Sequence, residues 1–281
     1  MAVFLGWQDR IKNAVLSGGS WVSGLGLANL TSWPKSNPAR STNTSASSTQ
    51  FDFDLGAVLP SRAGMLVGHN LSLNGVWRLT LSASASGNTD RWDSGYQPAW
   101  FLDFDNSALE WESESWWEGS TDVDLVGTPY HLPILLPDWI PARYGRLELI
   151  DPDNPAGFVQ AGRFVLCNGM QALPSFGVED SWRDLSTRKT LPSGISYIES
   201  RDALRAVKLP LDWIDRHAEF GQLYEMQRRL RTVGDVLYLP SLTDYQACQR
   251  TGFIGALSEL SPISHPLVNY SRTPLALEEL K

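Results

Sequence analysis

The stretch Phe51-Asp52-Phe53-Asp54-Leu55 alternates an apolar side chain with a carboxylate at every step, and only a β-strand of period two can bury one such face while wetting the other. Gly56 is expected to end that run. Trp77, Leu79 and Leu81 alternate with Arg78, Thr80 and Ser82, and Leu147 and Leu149 alternate with Arg146 and Glu148 in the same manner. Between the first two lies Gly64-Met65-Leu66-Val67-Gly68, apolar without alternation, as in a strand buried on both sides. The turn-rich Asp151-Pro152-Asp153-Asn154-Pro155-Ala156-Gly157 separates the third alternating run from Phe158-Val159 and Arg163-Phe164-Val165-Leu166. Successive antiparallel strands of a mainly β fold are therefore expected.

Before Phe51, residues Ser41 to Gln50 are almost all Ser, Thr, Asn and Ala, the composition of a loop, and Gly18, Gly19, Gly24 and Gly26 predict a flexible N-terminal segment. After Cys167 the character changes. Val207, Leu209 and Leu211 alternate around Lys208 and Pro210, and the proline points to an edge strand or a strand end. A helix is expected from a cap at Asp212 or Asp215 to about Arg231. Phe220, Leu223 and Leu230 share its apolar face, Glu225 can pair with Arg229, and Gly234 supplies the stop. Strands around Val236–Leu239 and Thr251–Leu257 follow. The division predicted is an N-terminal segment over residues 1–50, a β-sandwich over 51–170 and an α+β unit over 171–281, ordered strand-helix-strand-strand.

With 42% hydrophobic and 19% charged residues in 281, the chain can bury a substantial core. A net charge of −8 provides no positive field for a phosphate backbone, so no nucleic acid partner is expected. No apolar stretch approaches membrane-spanning length, so no membrane insertion is expected, and the charges in Met1–Arg10 do not fit a secretory signal. Cys167 and Cys248 stand alone and read as buried thiols.

Chemical motifs are sparse. His69, His131, His217 and His265 show no ligand spacing, and His69, between a buried strand and Asn70, suits a structural turn side chain. Asp103, Asp105, Glu110, Glu112, Glu114, Glu118, Asp122 and Asp124 invite calcium binding or a glycosidase acid pair. Ala108 stands where a calcium loop needs glycine, and a solvated acidic hairpin is the expectation. Ser193 lies outside a nucleophile elbow. No catalytic residue, metal or cofactor is expected. The 12 tryptophans exceed the ordinary share, and Trp92, Trp111, Trp116 and Trp117 are candidates for a subunit interface or a sugar-stacking platform.

Several separated segments resemble minor tail proteins of siphophages and prophages. They include Phe53-Asp54-Leu55-Gly56-Ala57, Leu66-Val67-Gly68-His69-Asn70-Leu71-Ser72, Asp93-Ser94-Gly95-Tyr96, Ala142-Arg143-Tyr144-Gly145-Arg146-Leu147-Glu148-Leu149, Leu223-Tyr224-Glu225-Met226-Gln227-Arg228-Arg229 and Gly252-Phe253-Ile254-Gly255-Ala256-Leu257. The resemblance implies a galactose-binding-like (discoidin-like) jelly-roll β-sandwich followed by the smaller α+β unit. It departs at Gly145, where that family often carries an aromatic residue. It further implies a structural part of a tail tip or baseplate, assembled in the host cytoplasm into the virion tail. Its expected partners are other tail proteins and copies of itself around the tail axis, with a host-surface glycan as a further ligand. A carbohydrate-binding module is the alternative function, and a glycan-cleaving enzyme the third.

Overall fold

The structure, a computed structural model, describes residues 2–85, 91–101, 131–175, 177–190, 196–215, 220–266 and 268–280. In chain order the elements are β1 (Val3–Asp9), β2 (Val15–Ser17), β3 (Ala39–Arg40), α1 (Ala46–Thr49), β4 (Phe51–Val67), β5 (Val76–Ser82), β6 (Trp92–Asp93), β7 (Gln97–Pro98), β8 (His131–Ile150), β9 (Gln160–Ala161) and β10 (Arg163–Ala172). Then come β11 (Glu179–Arg183), β12 (Thr187–Thr190), β13 (Ser196–Glu199), β14 (Leu204–Asp215), α2 (Phe220–Leu230), β15 (Val236–Leu239), α3 (Tyr245–Thr251), β16 (Phe253–Leu257) and β17 (Tyr270–Glu279). The fold is mainly β, as its alternating runs require. The chain forms two compact units, a sandwich unit of Gln8–Asn168 and Leu242–Gly252 and an α+β unit of Met1–Trp7, Gly169–Ser241 and Phe253–Lys281. This division interleaves the ends of the chain, where the sequence suggested three consecutive segments.

In the sandwich unit β4 and β8 run antiparallel over their whole length but change register twice. Leu55–Val58 stand opposite Arg143 alone, and Leu136–Trp139 stand opposite Arg62 alone, so two opposed excursions cancel and the original register returns. Bulges of this kind bend a strand pair, and both strands thereby serve two layers. One layer contains β2, the Phe51–Asp54 part of β4, the Tyr144–Ile150 part of β8, and β5 with β6 and β7. The other contains β10, the Ala63–Val67 part of β4 and the His131–Leu135 part of β8. Phe51 and Phe53 of the first layer meet Phe164 of the second, with ring centroids 5.7 and 5.9 Å apart, inside a core that also takes Trp77, Leu79, Leu81, Leu147 and Leu149. The 51–55 and 64–68 runs are therefore one bent strand, and Gly56, at φ 78°, belongs to an excursion instead of an end.

Among the N-terminal glycines Gly19 is part of the packing, whereas Gly24 and Gly26 stand in open space. A Cβ at Gly19 would fall 2.3 Å from the Gln50 carbonyl oxygen, and φ there is +68°. The Ser/Thr-rich loop contains the single turn α1, and Thr49 is buried and donates to the Leu149 carbonyl. Cys167 and Cys248 are buried and not joined in a disulfide, as expected.

In the α+β unit the strand order is β11-β14-β17-β16-β15-β1. β14 lies between β11 and β17, but β11 pairs it only from Leu204 to Lys208. Pro210 stands beyond that pairing, with β17 on one side and the Ser175 N–H donating to its carbonyl at 2.8 Å on the other. Pro274 stands directly opposite it, and the two missing donors coincide at one rung of the ladder. Asp212 and Asp215 both belong to β14, so neither caps α2, and His217 lies outside the described residues. From α2, Leu223 and Met226 are buried against Val207, Leu209, Tyr238 and Leu277, and Leu230 packs at the margin. Phe220 is half-buried, with its ring centroid 5.3 Å from that of His265. The Gly234 N–H closes the helix on the Leu230 carbonyl at 2.9 Å. Glu225 pairs with Arg229 at 3.0 Å and with Arg228 at 2.8 Å. Among the described residues no helix is long and apolar enough to cross a membrane.

Candidate binding cleft

The alternation that buries Phe51, Phe53, Leu147 and Leu79 turns Asp52, Asp54, Arg146, Glu148, Arg78 and Thr80 to the other face of the first layer. There Asp52, Asp54, Thr80, Arg146 and Glu148, with Ser17, Ser82, Ser84, Arg91 and Tyr144, line a cleft of about 520 Å³. That volume lies within the usual range of about 300–1,000 Å³ for small-molecule sites.

Register makes the electrostatics. Asp52 stands opposite Arg146, which grips it through Nε at 2.6 Å and Nη2 at 3.0 Å. Beside the excursion Arg143 grips Asp54 in the same fork, at 2.9 and 3.1 Å. On β5, Arg78 holds Asp93 through two nitrogens and reaches Glu148 at 3.9 Å, and Arg91 reaches Asp93 at 3.8 Å. The guanidinium hydrogen bonds keep Asp54 below the usual carboxylate range and hold Asp93 at about 2. The hydrogen bond to Asp52 raises the Arg146 pKa above the usual guanidinium value. The pair remains about half open to solvent, at 43% and 45% side-chain exposure. Such a surface offers fixed donors and acceptors in matched pairs with hydroxyls around them. It suits holding a polar neutral molecule better than moving protons, because Asp54 and Asp93 stay ionised at neutral pH.

A second, smaller cleft of about 260 Å³ is lined by Trp92, Ser94, Leu135, Leu136, Pro137, Leu242 and Tyr245, and Phe101 stacks on Tyr245 with centroids 4.6 Å apart. Trp92 is thus half-buried against the sandwich core, away from the ion-paired cleft. Trp111, Trp116, Trp117, the acidic run from Asp103 to Asp124 and Ser193 lie outside the described residues. His69 is buried; its Nδ1 accepts the Leu71 N–H at 3.3 Å, and its ring meets Trp100 edge-on at 5.3 Å. Among the described residues no cluster of His, Cys, Asp and Glu is gathered as for a metal ion.

The cleft residues escaped sequence reasoning although their wet faces did not. Asp52, Asp54 and Arg146 were legible as outward side chains, and the missing information was which strand stood beside which. At Gly145 the neighbouring strand leaves no room for a side chain. A Cβ there would lie 2.2 Å from the Phe53 ring, which already fills that place from the neighbouring strand.

No protein-family profile matches the chain, and no curated protein sequence matches it. Among solved structures it is similar to the family 32 carbohydrate-binding module from Clostridium perfringens NanJ in complex with galactose, with TM-score 0.39, 8% identity, and coverage of 58% of this chain and 99% of that one. It is also similar to the lectin domain of lectinolysin complexed with Lewis B antigen, with TM-score 0.37, 12% identity, and coverage of 58% and 98%. A third is CpGH89CBM32-5 from Clostridium perfringens in complex with GalNAc-β-1,3-galactose, with TM-score 0.37, 10% identity, and coverage of 57% and 100%.

Proposed function

We propose that the sandwich unit binds a carbohydrate, without chemical turnover, in the ion-paired cleft. The observation that carries this reading is the Asp52–Arg146 pair, bidentate in geometry yet half open to solvent, with Thr80, Ser82 and Ser17 around it. Each partner keeps lone pairs or N–H groups open to solvent, which adjacent sugar hydroxyls can meet. Tyr144 adds a ring at the same wall for the C–H face of a sugar.

Calorimetry of the full chain against a panel of neutral glycans tests the reading. The expected result is saturable binding in the micromolar to millimolar range, about −8 to −4 kcal/mol, weakened at least tenfold by Arg146→Ala in a variant that melts like the parent. A panel without a binder, or an Arg146→Ala variant that binds as the parent does, would sink it.

A second reading, a tail-tip assembly component carried into the virion, draws on the segment resemblance and on the water-exposed Trp182, Trp213 and Tyr197 of the α+β unit. Mass spectrometry of purified virions from a producing host tests that reading separately. Absence of the chain from particles would remove it and leave the glycan reading standing.

A further inference from the structure

The sheet of the α+β unit ends on a strand paired along one side only. β11 is bonded to β14 from Glu179↔Lys208 to Arg183↔Leu204, and among the described residues no strand lies beyond it. All 5 of its residues are exposed. Trp182 stands opposite Arg205 and Asp180 opposite Val207, and both of those β14 residues are buried, so Trp182 and Asp180 share the core-facing side of the sheet. Trp182 is nevertheless 60% exposed. An indole in water at the rim of a core face, beside a free strand edge, marks a surface suited to pairing with another strand.

The residues of β11 select the occupant. Antiparallel self-pairing about Ser181 sets Glu179 of each copy against Arg183 of the other, so opposite charges meet at both ends. Outward residues then face outward residues, and each Trp182 lies across from the short side chain of Asp180. Sliding the register by two residues sets either Asp180 against Asp180 or Trp182 against Trp182 and shortens the overlap. A slide of one sets outward side chains against core-facing ones. We propose that two copies of this chain join through their β11 edges into one sheet with two-fold symmetry, whether or not the cleft binds sugar.

Sedimentation velocity of the full chain over a concentration series reads this directly. The parent should self-associate, Arg183→Glu should weaken association at least tenfold, and Glu179→Arg combined with Arg183→Glu should restore it. Within one copy Glu179 reaches Lys208 at 3.2 Å and Arg183 reaches Glu278 at 2.6 Å, but these are exposed pairs that contribute little to folding. An independent measurement uses Ser181→Cys, which meets its own copy at the two-fold axis. It should form an interchain disulfide under mild oxidation while Ser186→Cys does not, since Cys167 and Cys248 are buried. A parent that stays monomeric overturns the proposal and leaves the edge to a strand of another protein. Failure of Ser181→Cys to cross-link above the Ser186→Cys control overturns it too.

Discussion

At the residue scale, the contact between Phe53 and Gly145 shows how one position can be read only through another. A Cβ at residue 145 would overlap the Phe53 ring, so Gly145→Ala should destabilise the sandwich unit by about 1–3 kcal/mol through overpacking. Pairing it with Phe53→Leu should recover part of that loss. Urea denaturation of the full chain measures both, and a Gly145→Ala variant as stable as the parent would mean that the ring moves aside freely. His69 gives a second test. Burial is the main cause that lowers its pKa to about 3, with repulsion from His131 adding to it, and Nδ1 can accept the Leu71 N–H only while unprotonated. The folded pKa lies below the unfolded value of about 6.5, so the unfolded chain takes up the proton first as pH falls. Stability from this group is complete above about pH 6.5 and declines toward pH 3, by about 1.4 kcal/mol per pH unit in between. Denaturation midpoints of parent and His69→Phe across that window should differ in slope, whatever their difference at pH 7. Equal slopes would show that His69 is accessible to protons in the fold.

At the element scale, α2 is stabilised by what its apolar stripe touches. Leu223 is fully buried, so Leu223→Asp places a carboxylate in the core of the α+β unit with no cation provided for it, and loss of about 3 kcal/mol or more is expected. Thermal unfolding followed by circular dichroism checks this, and an unchanged transition would contradict the burial of that face. Much of this element was legible. The period placed Leu223 inward and the Glu225–Arg229 pair outward, and Val236–Leu239 was readable to the residue because its apolar run is short and bounded. The start of the helix was not legible, because the acids that looked like caps belong to β14, whose alternation continues to Asp215 beneath them. The joined strand β4 was hidden for a related reason. Leu55–Val58 break the alternation locally, and only the opposed excursion at Leu136–Trp139 shows that the ladder resumes. Local pattern reports which face of a strand is wet, whereas the cleft depends on strand neighbours such as Asp52 and Arg146 that lie far apart in the chain.

At the scale of the whole molecule, the cleft and the free strand edge fall in different units, so the proposed ligand recognition and the proposed self-association can be tested separately. If two chains join through β11, one particle presents two clefts, and attachment to a glycan-bearing surface becomes partly intramolecular once the first cleft is filled. Retention on a dense glycan surface should then exceed the single-site affinity measured in solution by about 100-fold, provided that both clefts reach the surface together. Arg183→Glu should lose that excess while keeping the solution affinity of the parent, because residue 183 is in the α+β unit and the cleft is in the sandwich unit. Arg146→Ala should lose both. The comparison needs two measurements for each variant, dissociation rate from a surface loaded with the glycan found by calorimetry and affinity for the same glycan free in solution. An Arg183→Glu variant that leaves the surface as slowly as the parent would break the link between association and attachment. A parent that leaves at the rate set by its solution affinity would break it as well, leaving each chain to hold its ligand alone.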